Sequence, residues 1–351
     1  MYWRTRVSAI GAAVVTILAT GVGVASAVPG ADREVTFSAD GTTVSGTLHV
    51  PAHRPHARLA AALLLPGSGP SDRDGDQPPK FTPDTLRLVA EAFGDDGVMT
   101  LRFDKYFSGR TGPGTFPPGA IDMAAFTRQA VAAYDTLAAQ PEADPERLAI
   151  AGHSEGGLQA LLVAREARIA PAGLALLAPQ DLHMLDMVRF QLDDQIDEAV
   201  RQGLFPAAQG ETNKAVLARL ISSLRAGRPL DYTGMTPTLA SVLQSLFNPL
   251  NIRFLRTDDA IYPPDAARQI RRGTRVLVTC GTADVQVPCW TTPPLLGALR
   301  HTAGPGLVVL PGADHELHPP GTPTNAKILV PSVLHALRAF ALELSSPRFP
   351  A

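Results

Sequence analysis

Three residues far apart in the chain have the types and settings to act together on a carbonyl carbon: Ser154, Asp284 and His315. A serine hydroxyl is a poor nucleophile until a base takes its proton. An imidazole serves as that base when an acid holds its tautomer and stabilises its charge. Ser154 lies in Gly152-His153-Ser154-Glu155-Gly156, directly after the apolar run 148–151 and before a stretch, 157–162, that reads as helix. A G-x-S-x-G pentapeptide alone arises easily by chance. Between a strand and a helix it has the context of a sharp turn that lifts a serine above the sheet. The flanking glycines suit such a turn because it leaves no room for Cβ atoms.

The other two members follow later strands. Residues 275–280 read as a strand ending in Gly281-Thr282-Ala283-Asp284, and 307–310 as the last strand, followed by Pro311-Gly312-Ala313-Asp314-His315. Both loops should reach the strand end that carries Ser154, in the chain order Ser, Asp, His. Nine histidines compete for the base. His153 lies inside the turn and should point away, His335 sits in an apolar helix, and His318, three residues on, is the nearest rival. Asp314 adjoins the base, and Asp258 and Asp259 close a helical region; all three rank below Asp284 as the acid. His315-Glu316-Leu317-His318 lacks the four-residue histidine spacing of a helical zinc site, so no metal is expected.

A serine hydrolase also needs backbone N–H donors for a developing oxyanion. One is the amide after the nucleophile, on Glu155. The other should come from the Gly-rich loop 66–75, which follows the apolar run 59–65; Ser68 is the first candidate donor and Gly69 the next. Arg73, between Asp72 and Asp74, should tie that loop down.

The elements that must position these residues alternate. Segments 33–38 and 44–50 read as an antiparallel hairpin turning at Asp40-Gly41. Strands follow at 59–65, 98–103, 148–151, 173–178, 275–280 and 307–310. Between them, helices are predicted from Thr82-Pro83, from Asp122 to about 139, and from Gly157; a closing helix is predicted at 325–344. This is an α/β chain with a mostly parallel central sheet and helices on both faces. The pattern changes after Pro179: apolar residues recur every three or four positions over 184–201 and 213–224, and Thr236-Pro237 opens a third helix to about 247. Residues 181–262 therefore read as a helical insertion, expected to form a cap over the pocket.

Composition narrows the function classes. The 351 residues carry a formal net charge of −2, which gives no electrostatic case for nucleic acid or an anionic membrane surface. Arg4 and Arg6, the uncharged run 7–24 and Ala25-Ser26-Ala27 match a signal peptide, so residues 1–27 are expected to be removed, leaving a secreted or cell-envelope protein of residues 28–351. The alternative is an uncleaved anchor, and no stable membrane partner is expected once the segment is cleaved. Cys280 and Cys289 are the only cysteines; in an exported chain they are expected to form a disulfide around Asp284.

Taken together, the Gly-Ser-Gly-Pro-Ser-Asp-Arg-Asp loop, Leu101-Arg102-Phe103-Asp104-Lys105, Gly-His-Ser-Glu-Gly-Gly, Gly-Thr-Ala-Asp-Val-Gln-Val-Pro and Gly-Ala-Asp-His make the chain resemble a bacterial α/β-hydrolase of the esterase/lipase kind. The resemblance covers essentially all of residues 28–351. It implies the α/β-hydrolase fold, Ser154 as nucleophile, Asp284 as acid, His315 as base, and an oxyanion hole from the amides of Glu155 and Ser68. It implies no cofactor and a small-molecule ester substrate. Tyr106-Phe107 departs from the Arg-Gly that usually continues the Asp-Lys segment, and this bears on the pocket wall. Two other readings stand beside ester hydrolysis: a serine peptidase or acyltransferase on the same triad, and a catalytically silent exported binding protein. The sequence leaves the acyl group, the alcohol and the oligomeric state open.

Overall fold

The computed structural model describes residues 27–345; the expected signal segment, apart from its last residue, lies outside the described residues. A hairpin opens the fold. Strands β1 (Ala31–Ala39) and β2 (Thr42–Val50) pair antiparallel, with Ala39 opposite Thr42. Asp40 and Gly41 both take positive φ, 47° and 75°, as a two-residue turn that follows the strand twist requires. Then come β3 (Leu59–Leu65), α1 (Thr85–Asp95), β4 (Met99–Phe103), α2 (Met123–Ala138), β5 (Ala143–His153), α3 (Glu155–Glu166) and β6 (Gly173–Leu177). The strands form one eight-stranded sheet in the order β1-β2-β4-β3-β5-β6-β7-β8, completed by β7 (Arg275–Gly281) and β8 (Ala303–Leu310). From β4 to β8 every neighbouring pair is parallel.

Period-two alternation divides the core. Ala61, Leu63 and Leu65 of β3 face the side covered by α2 and α3, where Tyr134, Leu137, Leu158 and Leu161 pack. Ala60, Ala62 and Leu64 face the other side, against Phe93 of α1 and Leu337 and Phe340 of α10 (Pro331–Ser345). The strands are apolar on both faces because both faces are covered.

Between β6 and β7 lie α4 (Met184–Arg201), α5 (Ala207–Arg225), α6 (Pro237–Leu246), α7 (Ile252–Asp259) and α8 (Pro263–Ala267). Leu185, Leu217, Leu220, Ile221, Leu243 and Leu255 from the first four of these form a separate small core. Helix α8 instead joins the main core through Ala266 and Ala267, beside α3. A short helix α9 (Pro293–Ala298) precedes β8.

Helix α3 begins two residues before the expected Gly157, at Glu155, and three other helix starts differ from the sequence expectation. Helix α1 begins at Thr85, after Asp84 in the left-handed region (φ 56°), and α10 begins at Pro331 rather than at 325. One tie explains both. The Thr82 N–H donates to Asn325 Oδ1 at 2.8 Å, Asn325 Nδ2 to Lys80 O at 3.1 Å, and Lys327 Nζ to Thr82 O at 2.7 Å. Two segments that bind each other as loops are not free to coil. Helix α5 starts six residues early, at Ala207, where polar residues give no apolar period to read.

Candidate active site

Ser154 stands between the last residue of β5 and the first of α3, at φ 56° and ψ −122°. This is backbone that glycine adopts readily and other residues rarely. The turn is held by Ser154 N–H donating to Leu177 O at 3.0 Å and by the Gln180 and Gly157 N–H groups donating to Ser154 O, each at 2.9 Å. A Cβ at Gly156 would lie 2.2 Å from Leu65 O, so a glycine is required where α3 crosses the end of β3.

His315, on the loop after β8, reaches Ser154 Oγ through Nε2 at 3.0 Å and Asp284 Oδ2 through Nδ1 at 2.8 Å. Asp284 Oδ1 accepts the Gln286 and Val287 N–H groups, both at 2.8 Å. With both Asp284 oxygens used, the carboxylate has one orientation. Burial pulls the His315 pKa down, but the hydrogen bond and charge of Asp284 outweigh it and hold it above the ordinary imidazole value. His153 faces the back of the site, with Nε2 2.8 Å from the His315 carbonyl oxygen, and burial pushes its own pKa down. His153 thus packs against His315, their ring centroids 4.9 Å apart.

The rivals stand outside this line. His318 is completely buried, with Nδ1 3.6 Å from Asp314 Oδ2. Asp258 accepts from Gln180 Nε2 at 3.0 Å, and Asp259 is held by Arg225. His153, His315 and Glu316 bring ligand atoms within 4.8 Å of one another. Within this group both His315 nitrogens are on Ser154 and Asp284, His153 Nε2 is on the His315 carbonyl, and Glu316 Oε2 accepts from the Thr85 hydroxyl at 2.9 Å.

The Glu155 N–H opens α3, where a helix has no internal acceptor to offer it. Across the cavity, Gly67 approaches so closely that a Cβ there would lie 3.2 Å from Ser154 Cβ. Ser68 follows it on the cavity wall, and its carbonyl accepts from Gln77 Nε2 at 2.8 Å and Ser71 Oγ at 3.1 Å. Arg73 is spent on anchoring this loop, to Asp104 at 2.9 Å and to Glu34 at 2.7 Å. Sequence reasoning gave no role to Lys105, which links the loop after β3 to the start of α3: its Nζ donates to Gly67 O and to Glu155 Oε1, each at 3.0 Å. The side chains of Lys105, Glu155, Gln180 and Asp258 gather near Ser154 from four separate stretches. Burial, with repulsion from Glu155, pushes the Asp258 carboxyl well above the usual carboxylate range.

Cys280 and Cys289 form a disulfide across the loop that carries Asp284. Over Ser154 lies a cavity of about 560 Å³, roofed by Met184 and Met187 of α4, Leu246 of α6 and Leu255 of α7. A second cavity of about 430 Å³ shares Gly69, Pro70, Asn251 and Phe254 with it and is walled by Tyr106, Phe107, Phe116, Phe126 and Leu250.

Neither a protein-family model nor a curated protein sequence matches this chain. Solved structures do. Est1E from Butyrivibrio proteoclasticus with ferulic acid bound superposes with a TM-score of 0.55 at 19% identity, over 88% of this chain and 98% of that one. The Pyrococcus furiosus esterase Pf2001 gives 0.52 at 15%, over 82% and 84%. The alpha/beta hydrolase GrgF from Penicillium sp. sh18 gives 0.52 at 19%, over 81% and 91%. At such identities the likeness speaks to architecture, and it agrees with the sheet order and the two helical layers: this chain has the α/β-hydrolase fold.

Proposed function

We propose that this protein hydrolyses carboxylic esters through an acyl-enzyme on Ser154. The observation that carries the reading is the unbroken hydrogen-bonded line from Asp284 through His315 to Ser154 Oγ, at 2.8 and 3.0 Å. In this reading Ser154 Oγ attacks the ester carbonyl carbon as His315 Nε2 takes its proton, and Asp284 stabilises the imidazolium. The carbonyl oxygen becomes an oxyanion between the Glu155 and Ser68 N–H groups. The tetrahedral intermediate collapses, its C–O bond breaks, and His315 returns the proton to the departing alkoxide. Water then enters, gives its proton to His315, and releases the acid by the same steps in reverse.

Sheet order orients the substrate. His315 and Asp284 follow β8 and β7, on one side of Ser154, while the loops after β3 and β4 lie on the other. The leaving oxygen must meet His315 Nε2, so the alcohol faces α4 and the acyl group faces the β4 side. There the aromatic-walled cavity awaits it, and five aromatic or apolar walls favour esters of bulky, aromatic acids over acetate. In this reading residues 28–351 act as one hydrolase domain with 181–262 as its cap. We place the protein outside the cytosol, supported by the disulfide and the N-terminal pattern.

The test is hydrolysis of p-nitrophenyl esters from acetyl to palmitoyl, and of phenylacyl esters, by wild type and Ser154→Ala. Turnover that falls by about 10⁴-fold or more in the variant, with loss of fluorophosphonate labelling, supports the reading. A folded wild type that neither turns over any ester nor labels would sink it and leave a binding role.

A further inference from the structure

Lys105 takes no part in proton transfer, yet it is bonded to both halves of the proposed oxyanion hole. It lies just past β4, is 5% exposed, and its Nζ donates at 3.0 Å to Gly67 O and at 3.0 Å to Glu155 Oε1. The Gly67 carbonyl and the Ser68 N–H belong to one planar trans peptide unit, in which the two groups point in opposite directions. Drawing the carbonyl toward Lys105 therefore aims the Ser68 N–H the other way. Glu155 supplies the second N–H from its own backbone, and its side chain is completely buried, with Oε1 on Lys105. Lys105 is itself held still: Nζ also lies 4.9 Å from the centroid of the Phe126 ring, a cation–π contact.

We propose that Lys105 is the positioning residue of the oxyanion hole: one amino group fixes the Gly67–Ser68 peptide plane and the Glu155 side chain together, and so sets the spacing of the two donors. The proposal rests on the esterase reading above. A buried ion pair is a weak source of net stability, because desolvation offsets its attraction. A role in aligning the two donors accounts for placing one here. Asp258 is the other carboxyl in this group; its burial and the Glu155 charge favour its neutral form, which leaves Lys105 to Glu155 and Gly67.

The experiment compares wild type with Lys105→Met, which keeps the stem and removes the donors. With p-nitrophenyl acetate, kcat should fall about 10- to 100-fold, since loss of a whole oxyanion donor costs about 10²–10³ and misplacement somewhat less. KM should stay within about threefold, and the acid limb of the pH profile should keep its midpoint, because the Asp284–His315–Ser154 line is untouched. Should that variant fail to fold with Glu155 left unpaired, Lys105→Met with Glu155→Gln removes the stranded charge and is held to the same three readings. A folded variant with kcat within threefold of wild type overturns the proposal alone. So does a loss accompanied by an equal rise in KM or a displaced acid limb, which would put the effect on binding or on His315. A wild type that hydrolyses no ester overturns this proposal and the esterase reading together.

Discussion

Replacing Asp284 by Asn should trap the base in the wrong tautomer. Asp284 Oδ1 accepts two backbone N–H groups, from Gln286 and Val287, at 2.8 Å each. An amide nitrogen placed there would face two donors and forfeit both bonds, about 1 kcal/mol apiece, before any repulsion. The Asn oxygen must therefore stay at that position, and its nitrogen must face His315 Nδ1. Nδ1 then has to accept, so the imidazole proton moves to Nε2, which points at Ser154 Oγ and is no longer able to take its proton. The same substitution in a serine-protease triad lowers turnover about 10⁴-fold, or roughly 5.4 kcal/mol at 1.36 kcal/mol per factor of ten. A second readout has a defined sign. Burial lowers the His315 pKa and Asp284 more than restores it, holding it above the ordinary value. Wild-type kcat/KM should thus fall as pH drops through a midpoint above about 6.5, the ordinary imidazole value. In Asp284→Asn both contributions from Asp284 are gone, so the acid limb should move to lower pH while the plateau collapses. The assay is p-nitrophenyl acetate hydrolysis from pH 5 to 9. A variant within tenfold of wild type, or one whose acid limb stays in place, would refute the assigned roles.

Two further outcomes are expected. Converting Cys280 and Cys289 to Ala releases a cross-link nine residues long, worth about 2–3 kcal/mol from loop entropy; kcat should decline on warming well below the melting transition, as the loop carrying Asp284 loosens. A temperature profile identical to wild type would show that the Asp284 hydrogen bonds suffice. Leu250 walls the aromatic cavity and is 55% exposed, so Leu250→Trp can fill that space without disturbing the core. It should lower kcat/KM for phenylacyl esters about tenfold and leave acetyl esters within about threefold; an equal effect on both would remove the acyl assignment.

What was legible in the sequence follows from the range of the forces involved. Ser154, Asp284 and His315 each follow an apolar run, and strand ends on one edge of a parallel sheet bring such residues together whatever lies between. The hairpin was legible because Asp40-Gly41 carries its turn type locally. Lys105 and Gly67 were not, since 38 residues separate them and no local pattern marks a side chain that will bond a distant carbonyl. The starts of α1 and α10 were misread for the same reason: Asn325 and Thr82 lie 243 residues apart in the chain, and their tie overrides the propensities on either side. Helix α7 escaped notice because Leu255 is the one large apolar side chain it buries, so its charged residues hide the period.

The backbone of Ser154 carries a thermodynamic consequence. At φ 56° and ψ −122° a side chain costs on the order of 1–3 kcal/mol, and a glycine would be at ease there. Glycine would in turn lose about 0.5–1 kcal/mol through its freer unfolded chain. The balance still favours the residue that is absent, so the most stable sequence at this position is one with no hydroxyl. If the proposed ester hydrolysis is selected for, it holds the molecule below its stability optimum at this turn. Stabilising the protein by engineering should therefore look to the rest of the chain and leave this turn strained.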